Sequence, residues 1–328
     1  MTASPSLEQV GVPFGADDNW RNTELLNAEL PDSRFVDAAG NVDSGYLRWL
    51  YDENPLGAAF QEGVDEDGVR MAHYALIPQT YRSIDGRVPF IFSLNAVSRS
   101  GAQRKGYFGT LQLRVWSAAR DAGVVCGIGV TNAKSHRGVQ VMGWRFAGPM
   151  PVEIVSPTPY RTGRWHSETI TPELLASSGF LELASGLDDQ PAEHFTNCFT
   201  PEYLRWRLGA PRGTTWAIHH SEDLVAISSL SHFKGVPVSV VVKLLLRNGG
   251  GATSAISGHG AVSEVCRFHR TPAAVYAGFN RFVRLRGIPL PEQFKPSPLN
   301  LEVCSLTDTI RQRDFKLDTY EFLDMDAY

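Results

Sequence analysis

Gln103-Arg104-Lys105-Gly106-Tyr107-Phe108-Gly109-Thr110 is the stretch that decides the fold of this chain. It follows an apolar run at 88–97, which is typical of a buried strand, and it opens residues 107–121, whose apolar side chains recur with helical spacing. A glycine turn between a strand and a helix presents free backbone N–H groups at the positive end of the helix dipole. The spacing therefore predicts a place that holds a phosphate or pyrophosphate group.

A second motif lies beyond the next predicted strand, at 124–130. It is an Asn-x-x-Ser-x-x-Gly pattern that closes with Gly-Trp, and its residues are Asn132, Ser135, Gly138, Gly143 and Trp144. The same residues begin a predicted helix at 134–142. Asn132 and Ser135 therefore have two open interpretations, as contacts to a ligand or as the start of that helix.

An internal repeat divides the chain. Tyr46-Leu47-Arg48-Trp49 recurs as Tyr203-Leu204-Arg205-Trp206, and a Pro-x-Gly sequence follows each copy, at 55–57 and 211–213. The offset is 157 residues at the first motif and 156 at the second. Two matched elements at a nearly constant offset predict two copies of one unit of about 150 residues. We expect each tryptophan to fill the core, with the arginine before it stacked on the ring.

Strands and helices alternate in both copies, which predicts a mixed α/β sheet flanked by helices in each half. In the first copy the further elements are a helix at 44–51 and strands near 57–63 and 69–78. In the second copy they are strands near 214–220, 224–233 and 237–246 and helices at 257–269 and 271–285. Prolines and Gly163 between the copies predict a connecting segment, so the expected domains are 1–155 and 196–328, joined by 156–195.

The composition of the 328 residues argues against several classes of protein. A net charge of -4 gives no reason to expect a nucleic acid partner, and no apolar run approaches the ~20 residues of a membrane span. The first residues lack a signal-peptide pattern. Four widely spaced cysteines without a CxxC pair predict reduced thiols and no metal site. We therefore expect a cytoplasmic protein, a monomer or dimer, without metal.

On these residues the chain resembles the GCN5-related N-acetyltransferase (GNAT) superfamily, over residues 44–146. The family motif is Gln/Arg-x-x-Gly-x-Gly/Ala, and Gln103, Gly106 and Phe108 occupy its marked positions, with Phe108 in place of the usual small residue. The Asn-x-x-Ser loop matches a bacterial branch of the family in which a similar phenylalanine occurs. The second half lacks the pyrophosphate motif. Such paired domains are similar to bacterial sugar N-acyltransferases, which act on nucleotide-linked amino sugars, and more distantly to Fem-type aminoacyl transferases.

The resemblance implies two tandem GNAT-like α/β domains and acyl-coenzyme A as the co-substrate. In the family, the strand before the glycine turn separates from its neighbour and offers main-chain groups to the pantetheine amides, while the turn holds the pyrophosphate. The second half would then be a degenerate domain that contributes to acceptor binding. The implied coenzyme-binding residues are Ala96, Val97, Ser98, Gln103, Arg104, Lys105, Gly106, Tyr107, Phe108, Gly109, Thr110, Asn132 and Ser135.

Direct attack of an amine on a thioester needs a proton acceptor, an oxyanion donor and an acid for the leaving thiolate. Many family members use as that acid a tyrosine four residues before the closing glycine, a position that Val139 occupies here. The implied catalytic residues are Asn132, Ser135 and His136, of which the last two are the nearest replacements for the acid. The base stays open among three histidines in the second half, His219, His232 and His259.

Two alternatives stay open. A Fem-like transferase that uses aminoacyl-tRNA or a lipid-linked precursor fits the duplication, although the charge of -4 disfavours tRNA. A non-catalytic acyl-CoA-binding module fits the missing tyrosine. The prediction taken forward is an acyl-CoA-dependent N-acyltransferase that acts, in the cleft between the halves, on a small amine such as a nucleotide-linked amino sugar.

Overall fold

The alternation of strands and helices is present in both halves of the chain. The computed structural model describes residues 16–30, 35–36, 41–103, 105–159, 163–211, 214–233, 235–247, 255–291, 294–295, 298–307, 310 and 314–325. The helices in these residues are α1 (Ala16–Glu29), α2 (Gly45–Asp52), α3 (Tyr107–Asp121), α4 (His136–Val141), α5 (Pro172–Ala176), α6 (Ser178–Ser185), α7 (Pro201–Leu208) and α8 (His259–His269).

The strands form two large sheets, one centred on each half. Strands of the first half are β1 (Phe60–Glu66), β2 (Val69–Ser83), β3 (Gly86–Ser98), β4 (Cys126–Thr131), β5 (Arg145–Pro149) and β6 (Val152–Val155). Those that follow are β7 (His166–Thr169), β8 (Thr196–Asn197), β9 (Trp216–His220), β10 (Leu224–Phe233), β11 (Val236–Leu246), β12 (Ile256–Ser257), β13 (Ala274–Asn280), β14 (Val283–Arg284), β15 (Ile288–Pro289), β16 (Asn300–Ser305) and β17 (Thr319–Glu321).

The two sheets share one topology. The first has the order β1-β2-β3-β4-β16-β5, with β8 beside β2, and the second has the order β15-β6-β13-β11-β10-β9-β7, with β17 beside β13. In each, an antiparallel hairpin leads through a helix to a parallel neighbour: β3 through α3 to β4, and β11 through α8 to β13. The internal repeat in the sequence thus corresponds to a repeated α/β unit.

Each sheet contains strands from the other half of the chain. β16, near the end of the chain, lies between β4 and β5 in the first sheet, whereas β6 lies between β13 and β15 in the second. This exchange brings residues from after position 300 next to the motifs of the first half. The division into 1–155, 156–195 and 196–328 stays a prediction, because sheet membership follows chain order only in part.

The repeated tryptophans lie at the junction of the halves. The indole of Trp49 donates to the carbonyl of Trp206 at 3.2 Å, that of Trp206 donates to the carbonyl of Trp49 at 3.0 Å, and the rings stack with centroids 4.7 Å apart. Both are buried, which confirms the prediction of core packing. The prediction that Arg48 and Arg205 stack on these rings is wrong. Arg48 is exposed beside Glu53, and Arg207 rather than Arg205 lies over Trp206.

Helix α3 begins and ends where the spacing predicts. Its buried stripe of Leu111, Val115 and Ala119 packs against Tyr74 and Ile91 of the first sheet. The opposite face of this sheet packs against the second sheet in one continuous core. That shared core holds Phe90, Phe92, Ile128 and Val303 together with Ile218, Ile227 and Val242.

One expectation for the chain after residue 150 is wrong. The helix expected at 271–285 is the strand β13 followed by β14, because Ala274–Asn280 is enclosed between β11 and β6 and pairs with both. Local pattern cannot distinguish a short buried strand from a helix. The connecting segment also carries regular structure, since β6, β7, α5 and α6 lie within it.

Candidate functional site

The first sheet opens between β3 and β4. The two strands pair in parallel from Phe90–Ser93 against Cys126–Gly129, and then separate, although β3 continues to Ser98 and β4 to Thr131. We call the opening beside residues 94–98 the β3–β4 gap. Among the described residues no side chain hydrogen bonds to the main chain of 94–98. Ala96, Val97 and Ser98 lie beyond the part of β3 that pairs with β4, and Val97 and Ser98 pair with β2 on the other side.

A β-bulge sets the course of β3 beside the gap. The register with β2 shifts opposite Asn95, whose φ of +51° is in the left-handed region that asparagine tolerates. The Asn95 amide donates to the Tyr51 hydroxyl at 2.7 Å, which in turn lies 3.2 Å from Nε2 of His73. Burial, with a contribution from Arg70, lowers the pKa of His73 to about 3. A neutral histidine and a buried tyrosine thus hold the bulge in place.

The glycine turn ends at the start of α3. Gly106 has φ +82° and no side chain caps the helix, and the first intrahelical bond in this turn runs from the Thr110 N–H to the Gly106 carbonyl at 3.2 Å. The N–H groups of residues 107–109 therefore have no intrahelical acceptor. A Cβ at Gly106 would meet nothing within 4 Å, so the left-handed backbone, rather than space, requires glycine there. Arg104 lies outside the described residues.

A carboxylate that the motif did not reveal holds two side chains of this turn. Lys105 Nζ lies 2.9 and 3.0 Å from the two oxygens of Glu66, and the Tyr107 hydroxyl donates to the same carboxylate. Hydrogen bonds from Tyr107 and Lys105 lower the pKa of Glu66. The positive charge predicted for the pyrophosphate is therefore present, but it is paired with Glu66 at the end of β1.

The remaining predicted residues of the turn have different surroundings. Phe108 lies against Tyr74 with ring centroids 5.8 Å apart, so it faces the sheet. Gly109 is close to Met142 of the turn after α4, since a Cβ there would lie 3.4 Å from its sulfur. Thr110 bonds back to the Gly106 carbonyl at 3.3 Å, and Gln103 is exposed. Gly109 thus permits α3 to approach the segment that follows α4.

Asn132 and Ser135 bond to each other in the turn that precedes α4. Asn132 Oδ1 accepts from the N–H groups of Lys134 and Ser135 at 2.9 and 3.0 Å, and the Ser135 hydroxyl lies 3.2 Å from that oxygen. The hydroxyl also accepts from the Asn132 N–H at 3.2 Å. These bonds lie in the turn between β4 and α4, and the N-cap residue Ser135 makes no side-chain hydrogen bond to the helix. The structure therefore leaves both interpretations of Asn132 and Ser135 open.

His136, the first residue of α4, meets a buried carboxylate. Its Nδ1 lies 2.5 Å from Oε1 of Glu302 on β16, whose side chain is fully buried. Thr131 donates to the same oxygen at 3.3 Å, and Oε2 has no hydrogen-bond partner in the described structure. Burial raises the pKa of Glu302, and the contact with His136 opposes that rise. The sequence motif could not reveal Glu302, because strand exchange brings it from 166 residues away.

The three candidate histidines of the second half differ in exposure. His219 is fully buried, and its two ring nitrogens lie 2.9 Å from Ser167 Oγ and 2.7 Å from Ser228 Oγ. Burial, helped by His269, lowers its pKa to about 3. His232 is exposed on β10, and His259 is paired weakly with Ser257 at 3.5 Å. Nothing here assigns a base among them.

The equivalent opening of the second sheet is filled. Strand β11 pairs with β13 at Ser239–Val241 and then separates from it, as β3 does from β4. We call this opening the β11–β13 gap. Residues 319–324, the tail segment, enter it, with β17 paired to the end of β13. Gly278 permits the approach, since a Cβ there would lie 2.2 Å from the Tyr320 carbonyl oxygen and its φ is +123°.

Side chains form hydrogen bonds to the main-chain groups of β11 in this gap. The Glu321 carboxylate accepts from the Leu244 N–H at 3.2 Å, and the Asn280 amide donates to the Leu244 carbonyl at 3.0 Å. Gln190 makes both bonds to Leu246, at 2.8 and 2.7 Å. The gap that resembles a coenzyme slot therefore has its backbone groups already bonded.

A buried ion pair anchors the tail segment. Lys243 Nζ lies 2.7 Å from Asp324 and 3.0 Å from Glu321, and all three side chains are buried. Burial opposes the charge on Lys243, but the two carboxylates outweigh it and raise its pKa. Burial raises the pKa of Glu321 to about 7 against the effect of Lys243. Removing one partner of such a group leaves a buried charge and costs about 3 to 5 kcal/mol.

A cavity of about 410 Å³ lies between the halves. It is lined by β5, by Leu301 at the start of β16, by Phe279 of β13 and by residues 315–318. Its ionisable side chains are Arg145, His194, Arg281, Lys316 and Asp318. Nε of Arg145 is buried without a hydrogen-bond partner, while Arg281 is paired with Glu193 and Asp318. The cavity thus offers an excess of basic groups near the end of β4.

The described residues contain no cluster of three or more His, Cys, Asp or Glu that could hold a metal ion. No helix in the described part of the chain is long and apolar enough to cross a membrane. All four cysteines are buried and free. Burial raises the pKa of Cys304 to about 12 and that of Cys198 to about 11, so neither is poised as a thiolate nucleophile.

No family model matches the chain, and no curated protein matches it in sequence. Solved structures do match it in fold. A conserved protein of unknown function from Enterococcus faecalis, described as a probable N-acyltransferase, has a TM-score of 0.62 at 10% identity, over 89% of this chain and 71% of that chain. A GCN5-related N-acetyltransferase from Anabaena variabilis has a TM-score of 0.60 at 11% identity, over 89% and 71%.

A third similar structure is N-myristoyltransferase from Saccharomyces cerevisiae with bound myristoyl-CoA. Its TM-score is 0.50 at 9% identity, over 88% of this chain and 80% of that chain. At such identities the likeness shows the fold. The chain has the GNAT fold, as the sequence motifs predict, and the similarity extends over both halves because it covers about nine tenths of the residues.

Proposed function

We propose that this protein is an acyl-CoA-dependent N-acyltransferase whose first half binds the coenzyme. The observation that carries the proposal is the pairing of an open β3–β4 gap with an uncapped α3 N-terminus at the end of the same strand. Main-chain groups of 94–98 fit the pantetheine amides, and the N–H groups of 107–109 fit a pyrophosphate. Structures of similar fold carry the names of N-acetyltransferases and of an N-myristoyltransferase.

One coenzyme per chain is part of the proposal. The β11–β13 gap has the same topology, but Gln190, Glu321 and Asn280 already bond its main chain. A pantetheine would have to displace the tail segment and break the ion pair at Lys243. The second half is thus proposed to serve the acceptor rather than the coenzyme.

The amine would attack the thioester directly. Burial raises the pKa of the Cys198 and Cys304 thiols far above neutrality, which disfavours an acyl-cysteine intermediate. The C–N bond forms as the C–S bond breaks, and the electron pair leaves with sulfur. The chain then has to protonate or otherwise stabilise the departing thiolate at the mouth of the β3–β4 gap.

The acceptor would enter the cavity between the halves. Arg145 and Lys316 line it, and the unbonded Nε of Arg145 suits a partner that carries negative charge. We propose an amine linked to an anionic group, such as a nucleotide-linked amino sugar, for which the resemblance of the sequence motifs is the other support. Leu301 in the lining of the cavity pairs with Val130 near the end of β4, on the side of β4 that β16 occupies.

Thermal unfolding with coenzyme A and acetyl-CoA tests the proposal. A ligand at a hundredfold over its Kd stabilises the fold by about 2.7 kcal/mol, which raises the Tm by several degrees. Gly106→Glu should abolish the shift, since it puts a carboxylate at the phosphate site. Gly235→Glu is the matched control, because Gly235 also has a positive φ and open space but lies in the second half. No shift for the native protein, or equal shifts in both variants, would refute the coenzyme site.

A further inference from the structure

We propose that the second half holds a binding site for a neutral sugar ring, in a cavity of about 540 Å³ at the end of α8. The inference goes beyond the proposed acyl transfer and does not depend on it. Two features outside the coenzyme and acceptor sites support it. One is a cavity whose described lining has hydroxyl groups and no charged side chain, and the other is a buried chain of hydrogen bonds that ends on a histidine of that lining.

The cavity lies on the face of the second sheet that α8 covers, at the C-terminal end of the helix. Ala217 of β9 pairs with Thr169 of β7 and with Ser228 of β10, so the three side chains share one face of the sheet. His269 of α8 bonds to Ser228 and therefore lies over the same face. The lining combines the hydroxyl groups of Thr169, Thr214, Thr215 and Ser231 with the rings of Phe268 and His269.

A chain of hydrogen bonds leads from a carboxylate on α8 to the histidine in the cavity. Ser167 donates to Glu264 at 2.5 Å, and Nδ1 of His219 lies 2.9 Å from the Ser167 hydroxyl. Nε2 of His219 lies 2.7 Å from the Ser228 hydroxyl, which in turn lies 2.8 Å from Nε2 of His269. His219 and Ser228 are fully buried, so water does not compete for these bonds.

Glu264 forms the charged end of the chain. Its side chain is 7% exposed and pairs with Arg267 on the same helix. Burial opposes the charge, but the hydrogen bonds from Arg267 and Ser167 outweigh it and lower the pKa of Glu264. An ionised carboxylate only accepts hydrogen bonds, so Ser167 donates to it and the Ser167 oxygen accepts from Nδ1 of His219.

The remaining bonds follow in one direction. Burial, helped by His269, lowers the pKa of His219 to about 3, so its ring is neutral and carries one proton, on Nδ1. Nε2 of His219 therefore accepts from Ser228, and the Ser228 oxygen accepts from Nε2 of His269. Burial lowers the pKa of His269 as well, so Nδ1 of this ring is an unprotonated acceptor.

The acceptor on His269 lies beside an aromatic ring. His269 is half-buried, and among the described residues its Nδ1 has no hydrogen-bond partner. Phe268 lies edge-on to His269 and to His219, with centroids 5.1 Å apart in both pairs. The chain and these contacts therefore hold one acceptor and one aromatic ring in fixed positions at the cavity.

This set of groups matches a neutral sugar ring. A sugar presents several hydroxyl groups, which bond to side-chain hydroxyls and to an imidazole acceptor, and a C–H face, which packs on an aromatic ring. None of the described lining residues is Asp, Glu, Lys or Arg, whereas Arg145 and Lys316 line the cavity between the halves. A charged ligand would find no counter-charge here, and a purely apolar one would leave the lining hydroxyls without partners.

NMR of histidine-labelled protein tests the chain. Long-range proton–nitrogen spectra show which ring nitrogen carries the proton, and we expect Nδ1 in His219 and Nε2 in His269. Ser228→Ala should remove the preference of His269 for Nε2. Ser229→Ala is the matched control, because Ser229 is equally buried on the same strand and its hydroxyl has no partner in the described structure. The opposite tautomers in the native protein would overturn the proposal.

Titration with uncharged sugars tests the ligand. Glucose, galactose and N-acetylglucosamine, each beside its 6-phosphate, are added to the native protein while the His269 signal is followed. At least one sugar should give a saturable shift, and its 6-phosphate should bind about tenfold more weakly, because the cavity supplies no counter-charge. Tighter binding of a disaccharide of the same sugar identifies a glycan end as the ligand, and weaker binding identifies the free sugar; both support the site. No shift with any of the three sugars, or tighter binding of a 6-phosphate, would overturn it.

Two variants locate the sugar. His269→Phe keeps an aromatic ring but removes the acceptor, and Thr215→Val removes an exposed hydroxyl with little change in shape, so it keeps the test valid if His269→Phe does not fold. Each should weaken sugar binding by about three- to tenfold, the value of one hydrogen bond. His232→Phe is the matched control, because His232 is exposed on β10 and is not in the described lining, and it should bind as the native protein does. Native affinity in the folded lining variants would show that the sugar lies elsewhere and overturn the proposal.

Discussion

Glu66 controls the charge of the glycine turn. Its carboxylate accepts from both Lys105 and Tyr107, so the lysine that would meet a pyrophosphate is already neutralised. A phosphate arriving at the α3 N-terminus must either share Lys105 with Glu66 or displace it. In the proposed binding mode, the main-chain N–H groups of 107–109 are therefore the principal phosphate donors.

Glu66→Gln should tighten coenzyme A binding by about three- to tenfold. The change removes a negative charge beside the phosphate site and releases Lys105, while an amide can still accept from Tyr107. Isothermal titration at low and high salt measures it, and the gain should shrink at high salt. Glu62→Gln on the same strand is a suitable control, because Glu62 contacts Arg114 at 3.9 Å and not the turn. Unchanged or weaker binding in Glu66→Gln would show that the phosphates lie elsewhere.

Among the elements, the tail segment accounts for the structural difference between the openings of the two similar sheets. Glu321 of this segment hydrogen bonds to the main chain of β11, where a ligand would otherwise bond. Lys243 of β11 forms ion pairs with Glu321 and Asp324 of the segment. The segment also joins the halves, because Gln79 of β2 donates to the Asp324 carbonyl at 2.9 Å and Arg207 of α7 donates to the Met325 carbonyl at 2.7 Å. Its contacts are those of an internal ligand.

Gly278→Ala should destabilise the fold by roughly 2 to 4 kcal/mol. The added methyl group would strain a backbone with φ +123° and collide with Tyr320, so β17 must move. Urea unfolding of the purified variant measures the change in Cm. Gly179→Ala in α6 serves as the control, because no atom lies within 4 Å of its Cβ position and alanine favours helices, so it should be neutral or stabilising. Equal stability of both variants would mean that the tail does not pack closely on β13.

Sequence patterns within one element were sufficient to predict much of the secondary structure of the first half. The apolar stripe and flanking glycines of 107–121 predicted the bounds of α3, and the repeat predicted two related units. Relations between distant segments could not be predicted in this way. The helix expected at 271–285 is a strand because neighbours on both sides pair with it. Neither Glu302 nor Glu66 belongs to a recognisable sequence motif. Glu302 reaches the site on the exchanged strand β16, and Glu66 reaches it at the end of β1 in the β1–β2 hairpin.

At the scale of the whole molecule, the two halves depend on each other. The paired tryptophans, the shared core and the exchanged strands β6 and β16 connect them, so neither sheet is complete from one half of the chain. This arrangement brings Glu302 of β16 into contact with His136 of the first half. It also brings residues of β5, β13 and β16 together around the cavity that holds an excess of basic groups.

Hydrogen exchange with and without coenzyme A tests the central claim most directly, that one open gap in the first half binds the coenzyme. We predict slower exchange in residues 94–98 and 105–110, which would gain acceptors from the ligand. Residues 242–246 should be unchanged, since their main-chain groups are already bonded. Slower exchange at 242–246 and 319–324 instead, or no change in 94–98, would contradict the account.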